Sequence, residues 1–338
     1  MNATRAVERL TVMGGDRHVV SLAGLHLVGD LADRVGLTAG YSAAVPLAGE
    51  RAPAHDRGRV LVHAAVMLAG GGRCVADVAA LRDQPGLFSD VASGPTIWRT
   101  LNGIDTAVLD ALRAARAQAR SVVWAAAGAP DQVVLDVDAS LVEIHSENKQ
   151  QAASHFKRGY GFHPMFCVLD DGGRGEPLAG ILRAGNAAAN SGADQLAVLD
   201  MALAQLPESH RCGHRPGDDA DEVVHPVLVR ADSAGAVHAF IDGLGARNCE
   251  FSVSARTSDT LDAAIMAVPA SAWQPARRVA PDARRRRAQV AELDVTLAGW
   301  PAGTRVIVRP GTPPPGSAVA PVGPQRLAPP GGAHQQRR

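Results

Sequence analysis

The spacing of apolar residues changes near residue 129, which divides the chain into two parts. Before this point four segments have apolar residues at helical spacing: 18–37, 59–71, 74–90 with a break at Pro85, and 106–128. The first part ends in the turn-forming residues Gly128, Pro130 and Asp131. We therefore predict an all-helical N-terminal region over 1–128, with DNA binding as one available role.

After residue 129 the pattern becomes that of short strands alternating with helices. The predicted elements are three strands, a helix, a strand, a helix and a strand, at 133–138, 162–171, 176–186, 193–207, 227–232, 236–246 and 249–256. The second and third strands flank a glycine-rich turn at 172–175 and should form a hairpin. This order predicts an α/β domain over 129–309, with a ribonuclease-H-like mixed sheet and helices on its faces.

Two of the predicted strands carry aspartates toward their carboxyl ends. In the segment 133–140, Asp136 and Asp138 fall on one face of a period-two strand, and the pattern predicts that the strand carries them into an apolar core. A second segment, 227–235, leads to Asp232. In a sheet of this order the first and fourth strands are neighbours, so Asp138 and Asp232 should converge. Converged carboxylates repel each other unless a divalent cation lies between them, and oxygen ligands favour Mg²⁺ or Mn²⁺.

The composition restricts the class of protein but does not indicate a function. The chain has 34 basic and 34 acidic residues, so its formal net charge is zero and DNA binding would depend on local basic patches. The four cysteines form no CxxC pair, which favours reduced thiols, and no signal pattern or long apolar run is present. We expect a soluble cytoplasmic protein without a membrane segment. The segment 310–338 is rich in Pro and Gly and has no acidic residue, which predicts disorder.

The segments LDVDAS, HSENKQQAASHFKRGYGFHP, EPLAGILRAGNAAANSGAD and VLVRADSAGAVHAFID resemble the DDE-type transposases of bacterial insertion sequences, most closely the insertion-sequence-1380 group. The resemblance covers roughly 15–308 and is specific over 133–256. It implies that Asp138, followed by Ser140, and Asp232 are catalytic residues and metal ligands, with Asp136 as a supporting carboxylate. The implied cofactor is Mg²⁺ or Mn²⁺. The implied partners are transposon terminal inverted repeats, target DNA and, optionally, a second copy of the chain.

The family's third catalytic residue is a glutamate on a helix beyond the second aspartate, in an arginine-rich motif. Glu292, in a predicted helix over 284–293, comes too early to match it, and the resemblance ends at Arg309. Because a one-base shift after Arg309 would encode a more polar segment, we interpret the chain as truncated by a frameshift.

Several basic residues are candidate DNA contacts. Lys157 and Arg158, with His163 and the neighbouring His155 and Tyr160, suit phosphate contact or base stacking, although a solvated hairpin loop explains them equally well. For Arg183, with Asn186 and Asn190, capping and turn chemistry is the alternative. The third candidate is a basic run whose alternative is a solvated helix face: Arg284, Arg285, Arg286 and Arg287.

Three functions remain open at this point. The first is an active transposase that cuts DNA at transposon ends by hydrolysis and joins the freed 3′-hydroxyl to target DNA. The second is an inactive truncated transposase that binds DNA or acts as an inhibitor. The third is a metal-dependent nuclease outside transposition. A zinc site at His210, Cys212 and His214 is disfavoured because no second ligand pair follows.

Overall fold

The computed structural model describes residues 23–46, 54–145, 149, 152–172, 174–255, 258–275 and 289–309, and the backbone of 333–336. It divides into two compact units, Met1–Ala126 and Ala127–Arg338. No helix in these described ranges is long and apolar enough to cross a membrane.

The first unit is helical, as the apolar spacing predicts. Its helices are α1 (His26–Arg34), α2 (Leu37–Ala44), α3 (Arg57–Ala69), α4 (Ala79–Arg82), α5 (Pro85–Phe88), α6 (Gly94–Asn102) and α7 (Thr106–Ala127). The predicted helix over 18–37 is instead divided, because Gly36 adopts a left-handed conformation with φ of 77° between α1 and α2. Residues 18–22 lie outside the described part. The predicted break at Pro85 is confirmed, since Pro85 begins α5.

The second unit contains a nine-stranded sheet, whose first five strands carry the candidate site. These strands are β1 (Val133–Ala139), β5 (Met165–Asp171), β6 (Arg174–Ile181), β7 (Val227–Ala231) and β8 (Glu250–Ala255), in the order β6-β5-β1-β7-β8. The β1–β5 and β5–β6 pairs are antiparallel, whereas β1–β7 and β7–β8 are parallel. This mixed sheet is the ribonuclease-H-like core that the order of elements predicts.

Helices cover one face of this sheet. Val133, Leu135 and Val137 of β1 are buried, while Val134, Asp136 and Asp138 on the opposite face are partly or fully exposed. Two helices, α8 (Gly192–Leu203) and α10 (His238–Gly245), pack against the strands. The main core of this unit therefore lies between these helices and the apolar face of β1, β5 and β7.

A small second sheet follows β1 in the chain. It consists of β2 (Val142–Glu143), β3 (Ala153–Ser154) and β4 (Tyr160–Phe162), in the order β2-β4-β3. The β3–β4 pair is a hairpin whose loop is residues 155–159. Because β2 begins shortly after β1 ends, this sheet is attached at the carboxyl end of β1.

The remaining elements correct two predictions. They are α9 (Glu208–Arg211), α11 (Asp259–Ala267), β9 (Gln274–Pro275), β10 (Gln289–Leu293), β11 (Arg305–Val308) and β12 (Ala333–Gln336), and the four strands extend the main sheet beyond β8 in the order β12-β11-β10-β9. Glu292 thus lies on a strand paired with β11, and not on a helix. The strand β12 falls within 310–338, where we predicted disorder; residues 310–332 and 337–338 lie outside the described part.

Candidate active site

The sheet topology places Asp138 and Asp232 at one edge. In the parallel β1–β7 pair, Val137 is in register with Ala231, and each is followed directly by one of the two aspartates. Neighbouring strands lie about 4.8 Å apart, so the two residues occupy adjacent positions at the carboxyl ends of their strands. The convergence expected from the sequence is therefore present in the backbone geometry.

One oxygen of each carboxylate is held by the local backbone. Asp138 Oδ1 accepts a hydrogen bond from the Ala139 N–H at 2.7 Å, and Asp232 Oδ1 accepts one from the Ala234 N–H at 2.8 Å. The bond to Ala234 caps the 3₁₀ turn that follows Asp232. Within the described residues, no hydrogen bond reaches the second oxygen of either carboxylate. Those two oxygens are the ones left to bind a cation.

The electrostatics of this edge disfavour two bare negative charges. Partial burial raises the pKa of the Asp138 carboxyl above its ordinary value, and the neighbouring Asp232 and Asp136 carboxylates raise it further. The Ala139 N–H and His163 lower that pKa, but by less than the opposing causes. A divalent cation would remove the repulsion, so the donor set fits a hard metal ion bound through two carboxylates, water and a substrate phosphate.

The third aspartate of the region, Asp136, forms an ion-pair cluster. Its two carboxylate oxygens each accept a hydrogen bond at 2.6 Å from Arg230, one from Nε and one from Nη2. Arg230 Nη2 also donates to Asp170 Oδ2 at 2.7 Å. The Asp136 and Arg230 side chains are 39% and 41% exposed, so the prediction that β1 carries its aspartates into an apolar core is wrong. They lie on the face opposite α8 and α10, where Asp136 supports the strands by pairing with Arg230 of β7.

No third acidic residue joins the pair in the described part of the chain. Among these residues, no group of three His, Cys, Asp or Glu side chains is close enough to hold a metal ion. Glu292 on β10 is four strand spacings from β7, or about 19 Å, and pairs with Arg305 at 2.6 and 2.7 Å. The described geometry thus excludes Glu292 as the third carboxylate.

Comparison with known families agrees with the topology of the sheet. The family described as transposase DDE domain group 1 matches residues 4–322. The chain belongs to this DDE transposase family. The match includes both structural units and runs past Arg309, where we expected the resemblance to end. No curated protein matches the chain.

In this transposase the β3–β4 hairpin presents the predicted contacts Lys157 and Arg158. Both are exposed in the loop, and Arg158 adopts a left-handed conformation with φ of 64°. Of the neighbouring residues flagged for stacking, His155 is buried and the Tyr160 hydroxyl donates to the Ala152 carbonyl at 2.9 Å. The hairpin therefore exposes its two cations and uses its histidine and tyrosine for support.

The same hairpin exposes a residue that the sequence analysis missed. Phe156 is 75% exposed and lies between buried His155 and the two cations. A single aromatic residue in a polar loop produces no periodic signal. The only sign of Phe156 in the sequence is that it is a large apolar residue within the polar segment HSENKQQAASHFKRGYG.

His163 and Arg183 form an internal network next to the hairpin. His163 is buried, and its Nδ1 is 2.8 Å from the Ala187 carbonyl oxygen. Arg183 is also buried; its Nε donates to the His163 carbonyl at 3.0 Å, and its Nη1 donates to the Ala188 carbonyl and to Asp194, each at 2.9 Å. This corrects the assignment of Arg183 to DNA contact, because its guanidinium lies inside the fold, where it supports the turn.

The remaining predicted contacts are two asparagines and a run of four arginines. Asn186 and Asn190 are exposed, while Arg284, Arg285, Arg286 and Arg287 lie outside the described residues. In the segment 210–214, both ring nitrogens of His214 are 2.9 Å from backbone carbonyl oxygens, those of Arg247 and His225. His214 therefore holds the loop before β7 against the turn before β8.

Proposed function

We propose that this chain catalyses metal-dependent DNA cleavage at the ends of a bacterial insertion sequence of the insertion-sequence-1380 group, followed by strand transfer. The observation that supports this proposal is the parallel register that sets Asp138 beside Asp232. The substrates would be the terminal inverted repeats and target DNA, in the cytoplasm of the host bacterium.

In this reaction a water oxygen bonds to phosphorus at the transposon end, and the bond between phosphorus and the 3′-oxygen breaks. The oxygen of the freed 3′-hydroxyl then bonds to phosphorus in target DNA and loses its proton. The bond between that phosphorus and the 3′-oxygen of the neighbouring target nucleotide breaks, and this oxygen leaves as a hydroxyl. Asp138 and Asp232 would hold Mg²⁺ or Mn²⁺, which when bound supplies charge neutralisation at the scissile phosphate. The backbone N–H groups of Ala139 and Ala234 fix one oxygen of each carboxylate, so the free oxygens face the substrate with little freedom to rotate.

A second function is favoured by a separate observation. Within the described residues, no third His, Cys, Asp or Glu side chain joins Asp138 and Asp232 in a group that could hold a metal ion. A two-carboxylate site holds a cation weakly and positions a second one poorly, so a chain limited to these ligands would bind DNA without efficient strand transfer. Such a protein would compete with an active transposase for transposon ends and act as an inhibitor.

Cation binding and DNA chemistry separate these functions. We expect Mn²⁺ binding, followed by electron paramagnetic resonance, to weaken by more than about tenfold in Asp138→Ala and in Asp232→Ala. Glu292→Gln is the matched control; it should bind Mn²⁺ like the wild type, since Glu292 is far from the pair. Equal Mn²⁺ affinity in all four proteins would refute the assignment of the aspartates.

The DNA assay uses a plasmid that carries the genomic DNA flanking the coding sequence. Cleavage at the element's ends that requires both Mg²⁺ and Asp138 supports the transposase function. Specific binding to those ends without cleavage, together with an intact Mn²⁺ site, supports the inhibitory function.

A further inference from the structure

Phe156 is the most exposed large hydrophobic residue in the described part of the chain. The residue is 75% exposed, whereas phenylalanine is usually buried away from water. The next two residues in the chain, Lys157 and Arg158, are both exposed cations. Lys157 Nζ lies 5.7 Å from the centre of the Phe156 ring, within the range of a cation–π interaction. An aromatic face and two positive charges are therefore presented together.

The loop that carries Phe156 is held in place by the buried His155. The His155 side chain is 0% exposed, its backbone N–H donates to the Gly159 carbonyl at 3.0 Å, and its Nδ1 accepts the Lys157 N–H at 3.3 Å. A side chain at position 159 would collide with the His155 ring, since its Cβ would lie 2.4 Å from Nε2. The small tight loop thus holds the backbone on both sides of Phe156, so less of the loop has to be ordered on binding.

The position of this loop links it to the aspartate pair. The Phe156 and His163 rings are 6.3 Å apart, and His163 in turn lowers the pKa of the Asp138 carboxyl. The connection through the backbone is equally short, because β4 of the hairpin pairs with β2, which follows β1. A polymer held at Asp138 and Asp232 would therefore run past the Phe156 ring.

We propose that Phe156 stacks on a base of the DNA strand held at the Asp138–Asp232 edge, while Lys157 and Arg158 contact the phosphates beside that base. This inference rests on the proposed function and adds to it a residue that positions the strand. Nucleic acid is the occupant that matches the whole feature, since it offers flat apolar bases and negative phosphates at short, regular intervals. An apolar protein surface would match the ring but would leave both cations without a partner.

Stacking and phosphate contact have different experimental signatures. Stacking depends on an aromatic ring, tolerates any base and is insensitive to salt, whereas phosphate contacts release counterions and give binding a salt-dependent slope. The two parts of the proposal can therefore be tested with separate substitutions in the full chain.

The test measures binding of a mixed-sequence single-stranded oligonucleotide that contains 2-aminopurine, over a range of salt concentrations. We expect Phe156→Ala to weaken binding by about tenfold, to leave the salt slope unchanged and to abolish the fluorescence change on binding. Phe156→Trp should bind like the wild type, and Phe156→Leu should behave like Phe156→Ala. The double variant Lys157→Ala/Arg158→Ala should lower the slope by about 0.7 units for each lost contact with the single strand.

The control is Met266→Ala, which removes an exposed apolar side chain from α11 in the same unit and should not change binding. Folding of each variant is checked by thermal unfolding, and Phe156→Ala should unfold like the wild type because its ring is exposed.

Four results would overturn the stacking proposal. Wild-type affinity in Phe156→Ala would show that the ring contacts no base. Restoration by Phe156→Leu would show an apolar contact without stacking. A change in self-association of Phe156→Ala in the absence of DNA, with unchanged DNA affinity, would assign the ring to contact with a second copy. Failure of the wild type to bind the single-stranded oligonucleotide at low salt would overturn this proposal, and failure to bind the duplex transposon ends as well would overturn the proposed function. In contrast, the wild type could fail to cleave transposon ends while the Phe156 variants still change affinity and fluorescence as expected. That result would count only against the catalytic part of the proposed function.

Discussion

At the level of single residues, the surroundings of Asp138 oppose the ionised state that cation binding requires. Its carboxylate must be ionised to hold a cation, yet burial and the neighbouring Asp232 and Asp136 raise its pKa. Cation binding should therefore fail, as the pH falls, at a higher pH than at an ordinary aspartate.

We predict that Asp232→Asn lowers the pKa of Asp138 toward its ordinary value, because it removes one repulsive charge and leaves the effect of burial. Carboxyl carbon chemical shifts followed through a pH titration would measure the change. The raised pKa of Asp138 also affects stability, because it means that the ionised carboxylate destabilises the fold at neutral pH. This destabilisation is lost as the pH falls through the raised pKa. Asp138→Asn should thus slightly stabilise the protein at pH 7, by about 0.3 kcal/mol for so exposed a group, and not at low pH. An Asp138 pKa that is unchanged or higher in Asp232→Asn would show that the two carboxylates do not interact.

The residues whose positions in the sheet could be predicted from the sequence are those marked by periodicity. Asp138 and Asp232 stand out because each follows an apolar strand, and neighbouring parallel strands must end at the same edge. The partnership of Asp136 with Arg230 has no such signal, since it depends on the register between two strands far apart in sequence. Phe156 was missed for a related reason, because exposure is a property of the folded hairpin and not of its composition.

At the level of elements, the core strands and helices follow the sequence pattern, whereas the C-terminal strands do not. The segment 284–293 has four arginines followed by Ala, Gln, Val, Ala, Glu and Leu, which favours a helix by local propensity. In the structure Ala291 and Leu293 are buried and pair with Val308 and Val306 of β11. Burial against β11 therefore outweighs local preference, as is common for strands.

Arg230 links three core strands on the face of the sheet opposite α8 and α10. It bridges Asp136 of β1 and Asp170 of β5, and these two carboxylates raise its own pKa. Without Arg230 the two carboxylates would lie near each other with no cation between them.

We predict that Arg230→Gln lowers the free energy of unfolding by about 1 kcal/mol, a modest value because the cluster is partly exposed to water. Urea unfolding would measure it, and a double-mutant cycle with Asp136→Asn would isolate the pair. Arg305→Gln is the matched control: Arg305 makes the same two-bond contact, but to the single carboxylate of Glu292, so we expect about 0.5 kcal/mol. Equal losses in the two variants would show that the bridge to Asp170 contributes nothing.

At the level of the whole molecule, the family match extends through both compact units, so the helical unit is part of the transposase and not an unrelated attachment. The balance of 34 basic and 34 acidic residues gives the chain no overall positive field to attract DNA. Affinity for DNA must then come from local groups of cations, of which the run from Arg284 to Arg287 is the densest in the sequence.

This leads to a prediction about the full chain. If the four arginines contact phosphates, their replacement by alanine should reduce the slope of log affinity against log salt by up to about four units, since each contact with duplex DNA contributes close to one. The sequence preference of binding should stay the same, because phosphate contacts carry little sequence information. Fluorescence anisotropy with a labelled duplex, from low to physiological salt, would measure both properties. Lys157→Ala/Arg158→Ala provides the comparison, as it removes two cations next to the aspartate pair. An unchanged slope in the quadruple variant would assign the arginine run to solvent and leave the hairpin cations as the main electrostatic contact with DNA.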